Sequence, residues 1–143
     1  MMAAPPDVLR WSPRSEGHGD CAVAAIELAC GVTYETALAA ACSTCPSVLQ
    51  EGLSWSEIRR AIHTLGYKTS LRRRYTLDEE TGILNVYRID HVETSSHVVY
   101  LWEGRIIEPM DARRQLWLDA DQFLHHYRYQ AGSLLVISRP EGV

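Results

Sequence analysis

Gly19-Asp20-Cys21-Ala22-Val23-Ala24-Ala25-Ile26 is the stretch on which the reading of this chain turns. A short polar turn leads at once into an apolar run with helical periodicity, in which Ala22, Ala25, Ile26 and Ala29 share one face. Small residues on that face predict close packing against neighbouring elements, with Asp20 placed as the cap and Gly31 as the stop. The spacing therefore sets Cys21 on the first turn of a buried helix. Unpaired backbone N–H groups and the positive end of the helix dipole favour negative charge there, so a thiolate is cheap to form at such a position. The plainer reading of the same residue is a small buried apolar side chain, which is what most free cysteines are. What separates the two lies downstream.

Outward from this stretch, residues 1–16 hold three of the six prolines, little periodicity, and Trp11 as the only bulky anchor. They read as an irregular lead-in to a single domain spanning 1–143. On the other side, Thr33 caps a second helix through about Ala41, with Tyr34, Ala37, Leu38 and Ala41 inward. Cys42-Ser43-Thr44-Cys45-Pro46 ends it, because a residue before proline avoids the helical region. Ser54-Trp55-Ser56-Glu57 has the spacing of a capping box and opens a third helix to Leu65, with Ile58, Ala61, Ile62 and Leu65 as its stripe and Gly66 as its stop.

After Gly66 the period changes from 3.6 to 2. Strands are expected over 67–71, 83–89 and 97–102, the last the most apolar and so the most central. Glu103-Gly104 is a two-residue turn from which Arg105-Ile106-Ile107-Glu108 returns as the second arm of a hairpin. Asp119 or Asp121 caps a short helix containing Phe123 and Leu124, and 133–137 closes as a final strand. Helices first and an antiparallel sheet after them make an α+β domain in two layers, the N-terminal helices packed on the C-terminal sheet.

At 143 residues the chain is long enough to bury a core without staples, and 46% hydrophobic with 22% charged residues is a globular composition. A net charge of -4 gives no footprint for nucleic acid. Arg72-Arg73-Arg74 is answered by Asp78, Glu79 and Glu80 and reads as a solvated edge. No stretch approaches the ~20 apolar residues of a membrane span, and Met1 to Asp7 lacks the pattern of a secretory signal. A cytoplasmic protein with four reduced cysteines is expected.

An activated cysteine needs a base, best a histidine held by a third polar group. Of six histidines, His97 opens the most apolar strand directly after Ser95-Ser96, where the sheet would fix it. Across the Glu103-Gly104 hairpin its strand pairs with the segment ending at Glu108-Pro109, which brings a carboxylate near the imidazole to orient it and stabilise its cation. His91 is the second candidate for the base, and His125-His126 reads as surface. Cys42-x-x-Cys45 has neither the second pair that a structural zinc site needs nor the strand-to-helix setting of a redox motif, so no metal is expected. Cys30 reads as core.

An early Cys on a helix, a later His starting a strand and an acid ending the next strand resemble the papain-like cysteine peptidases. More narrowly the chain resembles the bacterial C39-like group, known for the leader-peptide-cleaving domains of bacteriocin exporters. The resemblance is carried by Asp20-Cys21 before a small-residue helix, Gly31-Val32-Thr33-Tyr34-Glu35, Leu65-Gly66-Tyr67, His97-Val98-Val99, and Glu108-Pro109 where the family usually has Asp-Pro. It implies a papain-like fold with Cys21 as nucleophile, His97 as general base and acid, Glu108 as the orienting residue, and no cofactor.

Two departures accompany it. The family places a glutamine shortly before the cysteine as second oxyanion donor, whereas the first glutamine here is Gln50; Ser15 and His18 are the substitutes to consider. Losing one such donor costs ~10²–10³ in rate, so a weak or inactive enzyme is one expectation. Glu108 is one methylene longer than Asp, and Asp111 competes with it. The activity expected is hydrolysis of a peptide or isopeptide bond in a peptide or protein substrate. The rivals are acyl transfer or deamidation on the same triad, and a non-catalytic protein that holds a partner in the cleft.

Overall fold

The computed structural model describes residues 20–89, 97–108 and 116–138. The expected lead-in at 1–16 lies outside them. Helix α1 (Asp20–Cys30) is enclosed on every side: from Cys21 to Cys30 only Ala29 is half-buried and the rest, Glu27 included, are buried. An all-round apolar helix belongs in an interior. Ala22, Val23, Ala25 and Ile26 pack with residues of the helices that follow, while Ala24 and Leu28 pack on Tyr100, Trp102 and Ile107 of the sheet. Asp20, expected as a cap, is itself the first helical residue. Gly31 ends the helix at φ +66°, a left-handed conformation that suits glycine.

Helix α2 (Tyr34–Thr44) is capped by Thr33, whose hydroxyl accepts from the Thr36 N–H at 3.2 Å. It runs three residues past the expected end at Ala41, because Ser43 and Thr44 donate their hydroxyls back to the carbonyls of Ala40 and Ala41. Extended backbone at Cys45, ahead of Pro46, then stops it. A single helical turn, α3 (Val48–Glu51), follows. Helix α4 (Trp55–Thr64) has the expected capping box: the Ser54 N–H donates to Glu57 at 2.9 Å and the Glu57 N–H to the Ser54 hydroxyl at 3.2 Å. Its Ile58, Ala61 and Ile62 face the core. Among the described residues no single helix is long and apolar enough to cross a membrane.

The second half is an antiparallel sheet, interrupted by one helix. Its elements are β1 (Lys68–Arg72), β2 (Thr81–Arg88), β3 (His97–Trp102), β4 (Arg105–Ile107), β5 (Leu116–Trp117), α5 (Ala120–Tyr127) and β6 (Tyr129–Ser138). The spatial order is β1-β6-β2-β3-β4-β5, and every pairing is antiparallel. Strand β6 is thus an interior strand, between β1 and β2, and starts four residues before the expected position at Ser133. Ile83, Val98 and Leu135 face α1, α2 and α4, whereas Leu84, Val86, Val99, Leu101 and Leu134 face Phe123 and Ala120 of α5. The N-terminal helices therefore cover one face of the sheet, and α5, capped by Asp119, covers the other.

One backbone approach is unusually tight. A Cβ on Gly82 of β2 would collide with the backbone carbonyl oxygen of Leu135 in β6, and neither strand can give way. Gly82→Ala is accordingly expected to destabilise the protein by about 1–3 kcal/mol, the usual cost of forcing a methyl into a packed interior. Urea unfolding reads it as a fall in midpoint at constant slope; an unchanged midpoint would show that β2 and β6 separate freely.

Candidate active site

The expected trio meets at one end of the sheet. Cys21 sits on the first turn of α1, His97 is the first residue of β3, and Glu108 directly follows β4. The β3–β4 hairpin explains why an acid reaches the ring. Glu103 and Gly104 take φ of 45° and 85°, the paired positive values of a type I′ turn, and this fixes the register Trp102↔Arg105 and Tyr100↔Ile107. One step further Glu108 comes level with Val99, so alternation puts its side chain on the same face as His97, two residues along β3. The longer side chain of Glu spans that diagonal. His97 Nε2 lies 2.8 Å from Oε1 and 3.0 Å from Oε2 of Glu108.

Both partners of this pair are largely withdrawn from water, with side-chain exposures of 18% for His97 and 8% for Glu108. Ladder pairing of Val86 with His97 ties the histidine to β2. Cys21, itself 8% exposed, hydrogen-bonds the same imidazole. With Nε2 given to the carboxylate, Nδ1 is the nitrogen left for sulfur. Burial alone would push the His97 pKa down. The hydrogen bonds to Cys21 and Glu108 and the negative charge of both outweigh it, and hold the pKa up at about 10 against an ordinary 6.5. A buried thiol, imidazole and carboxylate in one hydrogen-bonded line can store a proton next to a nucleophile and return it to a leaving group.

The remaining sequence candidates fall elsewhere. Ser15, His18, His91 and Asp111 lie outside the described residues. Cys30 is 3% exposed, and burial pushes its thiol up to about 12, which fits an inert core residue. Cys42 and Cys45 are free thiols at the end of α2. His125 and His126 are exposed on α5. Among the described residues no group of three or more His, Cys, Asp or Glu side chains is placed to hold a metal ion.

Sequence reading missed Tyr129, which begins β6. Its ring centroid is 6.1 Å from that of His97, with the planes inclined at 33°. The local signal was Tyr127-Arg128-Tyr129, two aromatics bracketing a helix-to-strand junction, but nothing in the chain order says which strand end that junction adjoins.

No family model matches the chain, and no curated protein matches it. Solved structures do. The peptidase domain of Streptococcus ComA, a bifunctional ABC transporter involved in a quorum-sensing pathway, superposes with a TM-score of 0.56 at 18% identity, covering 85% of this chain and 93% of that one. A double-glycine-motif protease from an AMS/PCAT transporter, solved with its leader peptide, gives a TM-score of 0.56 at 16% identity, covering 90% of this chain and 98% of that one. At such identities the likeness is one of architecture, and on that ground the chain has the α+β, C39-type peptidase-domain fold.

Proposed function

We propose that this protein is a thiol hydrolase acting on a peptide or isopeptide bond. The observation that carries the reading is the hydrogen-bonded line Cys21–His97–Glu108, in which the carboxylate takes Nε2 and leaves Nδ1 to the sulfur. Cys21 Sγ attacks the carbonyl carbon as a thiolate, its proton held on His97. The C=O electron pair moves onto oxygen, and the backbone N–H of Cys21, on the first turn of α1, donates to that oxyanion. Collapse breaks the C–N bond; the amine departs with the His97 proton and leaves a thioester. Water, deprotonated by His97, then releases the acid and restores the thiol. Glu108 keeps the ring oriented and offsets its positive charge throughout. The fold neighbour solved with a leader peptide supports a peptide as the substrate class.

One feature supports a second reading. No glutamine precedes Cys21, so the second oxyanion donor of the resembled family has no direct counterpart, which favours a protein that holds a peptide without cutting it. Acyl transfer and deamidation differ only in what attacks or leaves at the thioester stage, and belong to the first reading.

Two measurements test the site: one separates the two readings, and the other reads the charge on His97. Site-resolved iodoacetamide alkylation is expected to modify Cys21 at about pH 6, where an ordinary thiol with a pKa of ~8.5 is almost silent, and to leave Cys30 untouched. His97→Ala should abolish that low-pH reactivity and cost about 10²–10⁴-fold in hydrolysis of a synthetic peptide library followed by mass spectrometry. Histidine-independent alkylation at Cys21 with no peptide cleavage would establish the binding protein instead.

The second measurement is stability against pH. The folded pKa of His97 lies above its ordinary value, so the folded state binds that proton more tightly than the unfolded chain does. The stabilisation is full below pH 6.5 and is lost as pH rises toward 10. The wild type should therefore lose more Tm than His97→Ala across that window; parallel curves would mean that His97 is not held as the charged partner.

A further inference from the structure

Strand β1 stands at the edge of the sheet. Among the described residues its one ladder partner is β6, so one side of its backbone from Lys68 to Arg72 is open. At the opposite edge β5 offers only Leu116 and Trp117. An exposed strand edge is a template for a further chain, and native sheets guard it. Here the guard is charge of one sign.

Residues 59–74 hold six of the fourteen Lys and Arg and no Asp or Glu, in a chain whose net charge is -4. The fold spreads these cations over both faces of the β1 edge. Alternation turns Lys68, Ser70 and Arg72 outward, all exposed, and turns Thr69 and Leu71 toward the helices, both half-buried. On the helix side Arg59 Nε donates to the Thr69 hydroxyl at 3.1 Å, and His63 Nε2 lies 2.8 Å from the same oxygen, so two basic side chains of α4 are tied to the strand. Arg73 and Arg74, both exposed, carry the charge past its end. Of Asp78, Glu79 and Glu80, only Glu80 reaches a member of this set, taking Arg72 Nη1 at 3.0 Å. Such an exposed pair is worth little and leaves the guanidinium open to a further carboxylate. Lys68, Arg73 and Arg74 form no ion pair with the described residues.

Charge selects among the chains that could fill the edge. A second copy pairing antiparallel through β1 about Ser70 would set Lys68 opposite Arg72 twice over, and like charges directly opposite destabilise a ladder. A nucleic acid would use the cations and leave the open N–H and C=O groups of β1 unmet. An extended acidic peptide answers both needs. Its backbone completes the ladder, and its alternating carboxylates reach Lys68 and Arg72 on one face, Arg59 and His63 on the other.

We propose that the free edge of β1 is a docking site for an extended acidic segment of a partner protein, which joins the six-stranded sheet as a seventh strand. The site is distinct from the triad: β6 and β2 stand between β1 and the strand that carries His97, three strand spacings of ~4.8 Å each. The proposal therefore does not rest on the hydrolase reading.

The probe is a fluorescein-labelled synthetic peptide of alternating Glu and Val, titrated against the full chain at low salt and read by anisotropy, with amide hydrogen exchange of residues 68–72 followed by NMR. Saturating peptide should slow exchange of the β1 amides that point away from β6 by about tenfold or more. Lys68→Glu combined with Arg72→Glu should weaken binding about tenfold and accept an alternating Lys and Val peptide instead; Lys68→Glu alone serves if the double variant does not fold. The acidic peptide with every amide N-methylated keeps its charges, loses its donors, and should bind about tenfold more weakly. Absence of binding, binding without slowed exchange in β1, or equal affinity in the charge-reversed variant overturns the proposal. So does tighter binding of a single-stranded oligonucleotide of equal charge, which would make the patch a nucleic-acid surface. Outward amides already protected in the free chain overturn it as well: protection that falls on dilution assigns the edge to a second copy, and protection that persists assigns it to another segment of this chain. His97→Ala should bind the peptide as the wild type does. Binding lost in that variant puts the peptide at the triad and overturns the docking site, whereas binding kept by a wild type that cleaves no peptide upholds the docking site and sinks the hydrolase reading.

Discussion

Enclosure of α1 is the constraint from which the rest of the molecule follows. A helix whose flanks from Cys21 to Cys30 are apolar, apart from Glu27, has to be covered all the way round, and two kinds of cover are used. Helices α2 and α4 take one side through small residues such as Ala37, Ala41 and Ala61, which let backbones approach; β3 takes the other through Tyr100 and Trp102. Because the helix lies against β3, its N-terminal turn is delivered to the start of that strand, and the first residues of the two elements are Cys21's turn and His97. Large side chains in place of those alanines would force α2 and α4 away from α1 and open the cover that holds its N-terminal turn in place.

At that sheet end the chain gathers groups from elements far apart in sequence. The end of β2 brings Arg88, the start of β3 brings His97, the end of β4 brings Glu108, and the start of β6 brings Tyr129. Strand termini suit this work, since the backbone is fixed by the ladder on one side while side chains are free to converge on the other. Strand β6 lies inside the sheet, and β2 runs so close to it that position 82 of β2 calls for a glycine.

The electrostatics of the site are those of an ion pair kept partly dry. Desolvation opposes the imidazolium, and two anionic neighbours more than restore it. Such a balance depends on partners that stay in place, because a buried cation with a displaced carboxylate carries the desolvation cost alone. The I′ hairpin holds Glu108 in register with β3, and the Tyr129 ring stands beside His97 with centroids 6.1 Å apart. The proposed hydrolysis requires the ring to take and return a proton without swinging away, and a carboxylate fixed by the hairpin serves that requirement.

What the residues alone determined was local. The capping box at Ser54 and Glu57, the stops at Gly31 and Gly66, the thiol at a helix start and the I′ hairpin that carries Glu108 to His97 each involve groups a few positions apart, where capping, dihedral preference and turn register act without help from the rest of the fold. The brief elements α3 and β5 escaped notice because four and two residues are too few to show a period. Insertion of β6 between β1 and β2, the packing of α5 on the far face, and hence Tyr129 against His97, were decided only in three dimensions. Those pairings join segments tens of residues apart, and an alternating strand carries the same pattern whichever neighbours it takes; the choice is made by burial of two whole sheet faces at once, a sum that no single stretch of sequence contains.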